Sequence, residues 1–469
     1  MKQNRGPTTA SRGPPPVIMK LALRTGAALA ATLTLLVPAL WNGFPLLQYD
    51  TGGYIARWYE GTLEESRSTV YGLFLDLLAR PDFWPVVVVN AALTVWILSL
   101  VLRVHGLGEK ARVLIVTVAV MAVLTTLPWV VDVLLTDIFA GLSVFALYLL
   151  ARRADALTRW ERIALFIFIA FAAATHSATL FVLLALLFAG LVAALFDRRL
   201  VPFGGLAQGA AALALGAVML VAANYAVAGR IAWTPGGFAT AFGRMLQAGI
   251  VARYLDDHCP DPRLRLCTYR QDLPDDADTF FWGQSMFDRL GRFQGMNDEM
   301  RTIVIESLVD YPWLQIKAAV GATALQLERV RTGAGVLTTI WHTYGMIENF
   351  LPSALPAMRA ARQQKGELDF EAINRVHLPI AWASMLLLLG VIALGVARRR
   401  FADLGWLAAT TALAILANSV VCGALANPHN RYGARMVWPA PFVVLLVPWR
   451  MRQREGLAAS PRDSLARIA

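Results

Sequence analysis

Long runs of apolar residues, separated by short polar segments, dominate the chain from residue 21 onward. A helix that crosses the hydrocarbon core of a bilayer needs about 20 predominantly apolar residues. The stretch 163–196 is too long for one crossing, and its polar break, Thr175-His176-Ser177, predicts two helices joined by a tight turn. The pattern therefore predicts an all-α polytopic membrane protein with about ten transmembrane helices, at residues 21–41, 83–102, 113–129, 133–150, 163–175, 178–196, 203–227, 378–397, 404–426 and 436–448.

The longer polar stretches predict a division into domains. A basic leader at 1–20 precedes a transmembrane module of seven helices at 21–227, whose first outer loop is 42–82. A polar insert at 228–377 has apolar residues at near-helical spacing and is predicted to form a helical cap. Three further transmembrane helices at 378–449 and a tail at 450–469 complete the chain.

Composition and charge place this architecture in a membrane and exclude other classes of protein. Only 16% of the 469 residues are charged and 57% are hydrophobic, whereas soluble chains are about 25% charged. We place the N-terminus in the cytoplasm and let the helices alternate in direction. The segments that are then cytoplasmic carry about half of the 43 Lys and Arg. They carry fewer than a quarter of the 32 Asp and Glu. This asymmetry follows the positive-inside rule, so the net charge of +11 reflects topology and does not predict nucleic-acid binding. We expect a multi-pass protein of the bacterial inner membrane, with the cap in the periplasm.

The cysteines fit an oxidising compartment. Cys259 and Cys267 are separated by seven residues in the predicted cap, and a disulfide closing so short a loop stabilises a protein by roughly 2–3 kcal/mol. Such bonds persist in the periplasm and not in the cytosol. The sequence has no ligand spacing of the zinc type, so we predict no metal cofactor. Binding of a divalent metal ion stays open as an alternative.

Ionisable residues collect on the predicted periplasmic side. Asp50 lies in the first outer loop beside Gly52-Gly53, and glycines let the backbone approach a ligand closely. The other candidates are Arg57, Asp132, Asp137, His176, His429, Arg431 and Arg435.

This layout resembles the GT-C superfamily of membrane glycosyltransferases over about residues 21–196. The resemblance rests on the first-loop acid, on a second acid in Leu127-Pro-Trp-Val-Val-Asp-Val-Leu-Leu-Thr-Asp137, and on a C-terminal outer segment at 427–435. It implies a sugar donor carried on polyprenyl phosphate and a catalytic base at Asp50. The chain lacks an Asp-x-Asp or Asp-Glu pair beside Asp50, and so departs from the metal-dependent variants.

Each candidate residue has a functional and a structural interpretation. Asp50 is expected to be the base of an inverting glycosyltransferase, or else to cap the following helix. Asp137 or Asp132 is expected to orient the acceptor, although Asp132 also fits a helix cap. Arg431 and Arg435 are expected to clamp phosphate or to pair with acids of the cap. The remaining candidates for substrate contact are His176, His429, Arg57 (or an ion pair with Glu60) and Tyr54 (or a membrane anchor).

The predicted reaction joins a lipid-linked sugar donor to a periplasmic acceptor, which is a cell-envelope polysaccharide, a lipid or a protein. The alternative is a transporter or flippase for envelope lipids or saccharides. Such proteins usually place charges near the bilayer midplane and show internal repeats, and neither feature is evident in this sequence.

Overall fold

The computed structural model describes residues 16–458, apart from 109, 199 and 236. Helices make up most of this part of the chain, and its only bridge of β type is a single parallel one between Leu46 and Val133. The fold class is therefore all-α, as the hydrophobic pattern predicts.

The helices fall into three consecutive groups. The first comprises α1 (Pro16–Leu35), α2 (Val37–Asn42), α3 (Tyr49–Glu60), α4 (Thr69–Leu77), α5 (Trp84–Val104), α6 (Ala111–Leu124), α7 (Leu127–Asp132), α8 (Asp137–Arg152), α9 (Arg159–Thr175), α10 (Ser177–Phe196) and α11 (Phe203–Ala228). The insert contains α12 (Gly237–Gln247), α13 (Ile250–His258), α14 (Ala277–Trp282), α15 (Met286–Arg289), α16 (Arg292–Asp310), α17 (Pro312–Glu328), α18 (Trp341–Phe350) and α19 (Leu355–Ala360). The last group is α20 (Phe370–Ala397), α21 (Ala402–Ser419), α22 (Asn430–Val437) and α23 (Pro439–Ala458). Short 3-10 turns lie at Ala154–Ala156, Arg265–Tyr269, Pro352–Ala354, Arg362–Lys365 and Arg399–Phe401, and a π-helical segment at Val420–Ala424 extends α21.

Among the described residues, five helical segments are long and apolar enough to cross a membrane. They are Trp84–Val104, Ser177–Phe196, Phe203–Ala228, Phe370–Ala397 and Arg399–Ala424, with mean hydropathies between 1.8 and 2.8. The other predicted crossings correspond to shorter or interrupted helices, such as Ala22–Leu35 and Ala111–Leu124. The structure thus supports a helical membrane protein, and the number of ten crossings stays a prediction.

Local breaks in the helices have identifiable causes. The predicted break in 163–196 is present, because α9 ends at Thr175 and α10 begins at Ser177, with extended backbone at His176 between them. The first predicted crossing is instead two helices. Proline has no N–H and cannot continue a helix, and Pro38 lies in the first turn of α2.

Helix α8 lies at the centre of the molecule. Every residue from Asp137 to Leu150 is buried, which is expected of a helix that is apolar on all faces. Gly141 of α8 has no side chain, and the indole of Trp438 lies where one would be, 2.7 Å from an ideal Cβ position. This close approach brings α22 and α23 against the start of α8.

The insert divides into two parts by packing. Residues 239–304 form their own hydrophobic core, and a disulfide joins Cys259 to Cys267 within this part. By contrast, Ile340, Tyr344 and Ile347 belong to the main core, and α18 packs on α3. The predicted cap 228–377 is therefore not one packing unit, since its C-terminal third forms part of the main body.

Candidate functional site

The first loop is tied to the start of α8 by backbone pairing. Leu46 donates its N–H to the Asp132 carbonyl at 2.9 Å and accepts the Leu134 N–H at 2.9 Å. The hydroxyl of Thr51 donates to the Leu134 carbonyl at 3.2 Å. These bonds bring the N-terminus of α3 next to the N-terminus of α8.

Asp50 lies in the first turn of α3 but does not cap it. Gln48 is the N-cap, and its side chain accepts the Asp50 N–H at 3.2 Å while Thr51 Oγ1 accepts the Gln48 N–H at 3.1 Å. The capping interpretation of Asp50 is therefore wrong. Its carboxylate is left to interact with groups from other helices.

Arg431 bridges the two acids that the sequence placed in separate loops. It lies on α22, where its Nη1 pairs with Asp50 Oδ2 and its Nε donates to Asp137 Oδ2 at 2.7 Å. Arg431 and Asp137 are nearly fully buried, with side chains 10% and 4% exposed. A single guanidinium thus joins α3, α8 and α22 because its planar fork presents donors in several directions.

Arg435 forms a deeper layer one turn along α22. Its Nη1 lies 3.8 Å from Asp137 Oδ1 and 3.4 Å from His176 Nδ1. Its Nη2 donates to Asn418 Oδ1 at 2.9 Å and contacts Cys422 Sγ at 3.2 Å. Cys422 belongs to the π-helical segment, a distortion often found at functional sites. Arg435 and His176, both predicted from sequence, therefore meet beside Asp137.

Arg67 is a member of the site that sequence reasoning missed. Its Nη2 lies 2.5 Å from Asp50 Oδ1, so Asp50 is held between Arg67 and Arg431. The approach depends on Gly53, where an added Cβ would lie 2.7 Å from Glu64 Oε2 and 3.1 Å from Arg67 Nε. The feature of the sequence that could have predicted this contact is a glycine in α3, Gly53, followed by a charged loop.

The glycine pair serves packing and not, as expected from sequence, the approach of a ligand to the backbone. An added Cβ at Gly52 would lie 2.7 Å from the Cα of Thr343 on α18, and the Gly52 N–H donates to Thr343 Oγ1 at 3.0 Å. Gly53 accommodates the loop that carries Arg67. Protein groups therefore occupy the space beside both glycines.

We name Asp50, Arg67, Asp137, Arg431 and Arg435 the acid–arginine cluster. It holds three guanidiniums against two carboxylates. Burial would raise the pKa of Asp50, but the neighbouring Arg67 and Arg431 outweigh it and lower that pKa to about 2. Burial, followed by the charge of Arg435, lowers the pKa of His176 well below its ordinary value, so this imidazole is neutral near pH 7. The cluster therefore carries an excess positive charge that suits an anionic ligand.

An apolar cleft reaches the cluster. Its cavity volume is about 30 Å³, and Asp137 and Arg431 lie in its wall together with apolar side chains that include Val336. The rings of Trp129 and Phe370 also line it and pack edge to face with centroids 5.0 Å apart. The cleft thus combines an apolar wall with the Asp137–Arg431 ion pair of the cluster.

Two predicted site residues make structural contacts elsewhere. Arg57 is buried and interacts with the Gly53 carbonyl at 2.6 Å, Glu60 at 2.9 Å and Glu64 at 3.1 Å. Asp132 is fully buried, and its Oδ2 accepts the Ala39 N–H of α2 at 2.7 Å. These contacts match the ion-pair alternative for Arg57 and a capping role for Asp132, exerted on α2 and not on the helix predicted.

His429 and Tyr54 flank the cluster. His429 is partly exposed, with its Nε2 3.8 Å from Asp278 Oδ2 of α14. Tyr54 is buried, packs edge to face on Tyr71 at 4.9 Å and lies beneath the Arg67 guanidinium. His429 is thus placed at a contact between the insert and the main body, whereas Tyr54 supports Arg67.

Comparison of the chain with models of protein families, with characterised proteins and with solved structures finds no match. Within the described ranges, no group of three or more His, Cys, Asp or Glu side chains is arranged to hold a metal ion. The chemistry of the cluster is therefore the basis for assigning a function.

Proposed function

We propose that this chain is an inverting membrane glycosyltransferase that moves a sugar from a polyprenyl-phosphate carrier to a periplasmic acceptor. The main observation in support of this proposal is that Arg431 joins Asp50 and Asp137 in a buried, cation-rich cluster at the end of an apolar cleft. A lipid-linked phosphosugar has the matching parts, because its tail is apolar and its phosphate is anionic. The resemblance of the first loop and of the Asp132–Asp137 segment to the GT-C superfamily supports the same assignment.

The proposal includes the topology. We place ten helices across the inner membrane, with both termini in the cytoplasm and the first loop and insert in the periplasm. The clustering of Lys and Arg in the alternate loops supports this orientation. The burial of α8 supports it as well, since a short helix enclosed by others need not match the bilayer thickness by itself.

The guanidiniums are assigned to the leaving phosphate. Charge-assisted hydrogen bonds from arginine to phosphate are about twice as strong as neutral ones. Arg431 and Arg67 already surround Asp50, and Arg435 is held in place by Asn418. In the reaction the acceptor hydroxyl oxygen bonds to the anomeric carbon and the bond from that carbon to the phosphate oxygen breaks. The phosphate leaves with the electron pair, and Asp50 takes the hydroxyl proton.

Asp50 is a weak base until the donor binds. With a pKa of about 2 its carboxylate is held by two guanidiniums, whereas an efficient general base has a pKa nearer the working pH. A donor phosphate competes with Asp50 for Arg431 and Arg67. Binding of the donor therefore releases the carboxylate and raises its pKa toward the range in which it accepts a proton.

The experiment is a transfer assay with a panel of polyprenyl-phosphate sugars on protein purified in detergent. Asp50→Asn is expected to reduce turnover by about 10²- to 10⁴-fold, the usual contribution of a general base. Asp76→Asn is the matched control, because Asp76 is an exposed first-loop acid whose described partner is the Tyr59 hydroxyl, and it should retain activity. Full turnover of Asp50→Asn would remove Asp50 as the base. Turnover with none of the donors, combined with saturable binding of a lipid-linked sugar, would favour the transporter alternative.

A further inference from the structure

The junction of α16 and α17 carries an apolar face that nothing in the described structure covers. Val309 is 76% exposed, Trp313 is 78% exposed and Val320 is 65% exposed. Ile305 on α16 and Ile316 on α17, also exposed, each lie one helical turn before Val309 and Val320, respectively, and extend the stripe on their own helix. Contiguous exposed apolar surface of this kind marks an interaction site in proteins.

Helix α17 lies against one of the segments that is apolar enough to span a membrane. It packs on the π-helical end of α21, where an added Cβ at Gly423 would lie 2.6 Å from the Ala322 carbonyl oxygen. That segment presents exposed apolar side chains of its own at Leu416 and Val420, and exposed Leu425 follows it directly. The stripe on α17 therefore continues the apolar surface of a candidate span.

The opposite side of the junction packs on the insert, whose hydrophobic core includes Met300 and Ile303 of α16, and polar contacts add to this packing. The Tyr311 hydroxyl donates to Asp257 of α13 at 2.8 Å, and His258 lies 3.6 Å from Asp310. From the same side, Arg244 of α12 donates to the Ala318 carbonyl at 2.6 Å. The two helices thus contact the insert through one face and leave a second, apolar face exposed.

We propose that the α16–α17 junction is embedded in the outer leaflet of the bilayer and anchors the insert to the membrane beside α21. Helices at the membrane interface lie with an apolar face about 5–10 Å into the headgroup and acyl boundary. Lys317, which is exposed among the apolar residues, is long enough to extend its ammonium group to lipid phosphate. The occupant of the apolar face is therefore lipid, and not a second protein.

The test is site-directed spin labelling of the full chain in proteoliposomes. Of the three cysteines, Cys259 and Cys267 are joined in a disulfide and Cys422 is buried, so labels report on introduced residues. Ile316→Cys and Val320→Cys carry the label on the stripe, and Asn297→Cys is the control on an exposed polar position of α16. Collision with oxygen, which concentrates in lipid, is compared with collision with a water-soluble nickel chelate.

At residues 316 and 320 oxygen is expected to relax the label more strongly than the nickel chelate, and at 297 the order is expected to reverse. Dominance of the chelate at residue 320 would place the stripe in water and overturn the proposal. Access of neither reagent would show that protein covers the stripe, which also overturns it. The measurement needs no transfer activity, so its outcome is independent of the catalytic assignment.

Discussion

Two polar networks lie at opposite ends of the buried helix α8, and both contain an arginine paired with an aspartate. At the N-terminal end, Arg431 pairs with Asp137 and Asp50. At the C-terminal end, Arg450 pairs with Asp403 and donates to the His105 carbonyl at 2.5 Å. We name the second group, with Arg153 and Tyr148, the carbonyl-bound network.

The networks differ in what accepts the hydrogen bonds. In the carbonyl-bound network, Arg153 donates to the Val104 carbonyl at 2.8 Å, and the Tyr148 hydroxyl donates to the Asp403 carbonyl at 3.2 Å. Val104 ends α5, where unpaired carbonyls and the helix dipole favour cations. In the acid–arginine cluster, the Arg431 guanidinium instead donates to side-chain oxygens of Asp137, Gln48 and Asp50.

This difference separates a structural network from one suited to a ligand. Backbone carbonyls at a helix end are fixed by the helix, so an arginine bonded to them is not available to a substrate. Side-chain carboxylates rearrange by rotation, and the guanidinium they release can bind a phosphate. The acid–arginine cluster also borders a cleft, through Asp137 and Arg431.

Conservative replacement of one arginine in each network is the strongest test of this distinction. Arg431→Lys loses the planar fork that reaches Asp50 and Asp137 together, and a charged hydrogen bond is worth about 1.5–3 kcal/mol. We expect kcat/KM for the lipid-linked donor to fall roughly 10- to 100-fold. Arg450→Lys, the matched variant, should lower the thermal unfolding midpoint in detergent and leave kcat/KM near that of the wild type. An equal kinetic effect of the two variants would contradict the distinction.

The pH dependence of turnover sharpens the comparison. In the free protein, the pKa of Asp50 is about 2. The acid limb of the pH profile of kcat/KM, where protonation of Asp50 lowers the rate, should therefore lie below the pH range that can be measured. In the donor complex the guanidiniums turn to phosphate, and the acid limb of kcat should appear at higher pH. Removing a cation raises the pKa of a neighbouring carboxylate, so Arg67→Gln should move the limb of kcat/KM upward. Coincident limbs in the wild type would argue against release of Asp50 by the donor.

Asp132 tests whether an acid next to the cluster belongs to it. Asp132→Asn keeps an oxygen that accepts the Ala39 N–H and should retain activity. Asp132→Ala leaves that buried N–H without its partner, which costs about 1–3 kcal/mol of unfolding free energy. Denaturant unfolding gives the stability of both variants, and the transfer assay gives their turnover. Loss of turnover in a stably folded Asp132→Asn variant would return Asp132 to the catalytic group.

Glu65 gives the smallest expected effect, on stability. Burial raises its pKa to about 7, against the opposing hydrogen bond from Thr240. The folded state therefore prefers the protonated form, so this contribution is complete below pH 4.5 and is lost as pH rises through about 7. Unfolding midpoints of Glu65→Gln and wild type, measured from pH 4.5 to 7, should show that the variant lacks this decline. Asp76→Asn should keep the decline of the unfolding midpoint with pH. An identical decline in Glu65→Gln and wild type would rule out Glu65 as the cause of this pH dependence.

The structure brings together five residues that the sequence offered as candidates because ionisable groups are scarce in so apolar a chain, namely Asp50, Asp137, Arg431, Arg435 and His176. Sequence reasoning missed Arg67, whose loop has no apolar periodicity to fix its position. It also expected Gly52-Gly53 to admit a ligand, whereas α18 and the Arg67 loop pack there. Such packing between distant segments leaves no local pattern.

The sequence by itself determined the all-α class and the position of the helix break at His176. Continuous apolar runs favour helices in which every backbone group is paired, and polar or proline positions interrupt them. Only the tertiary structure decided that one guanidinium spans Asp50 and Asp137. That contact requires α22 to approach α8, which follows from the packing of Trp438 over Gly141. Helix periodicity is a local property of the chain, whereas this pairing depends on how distant helices pack.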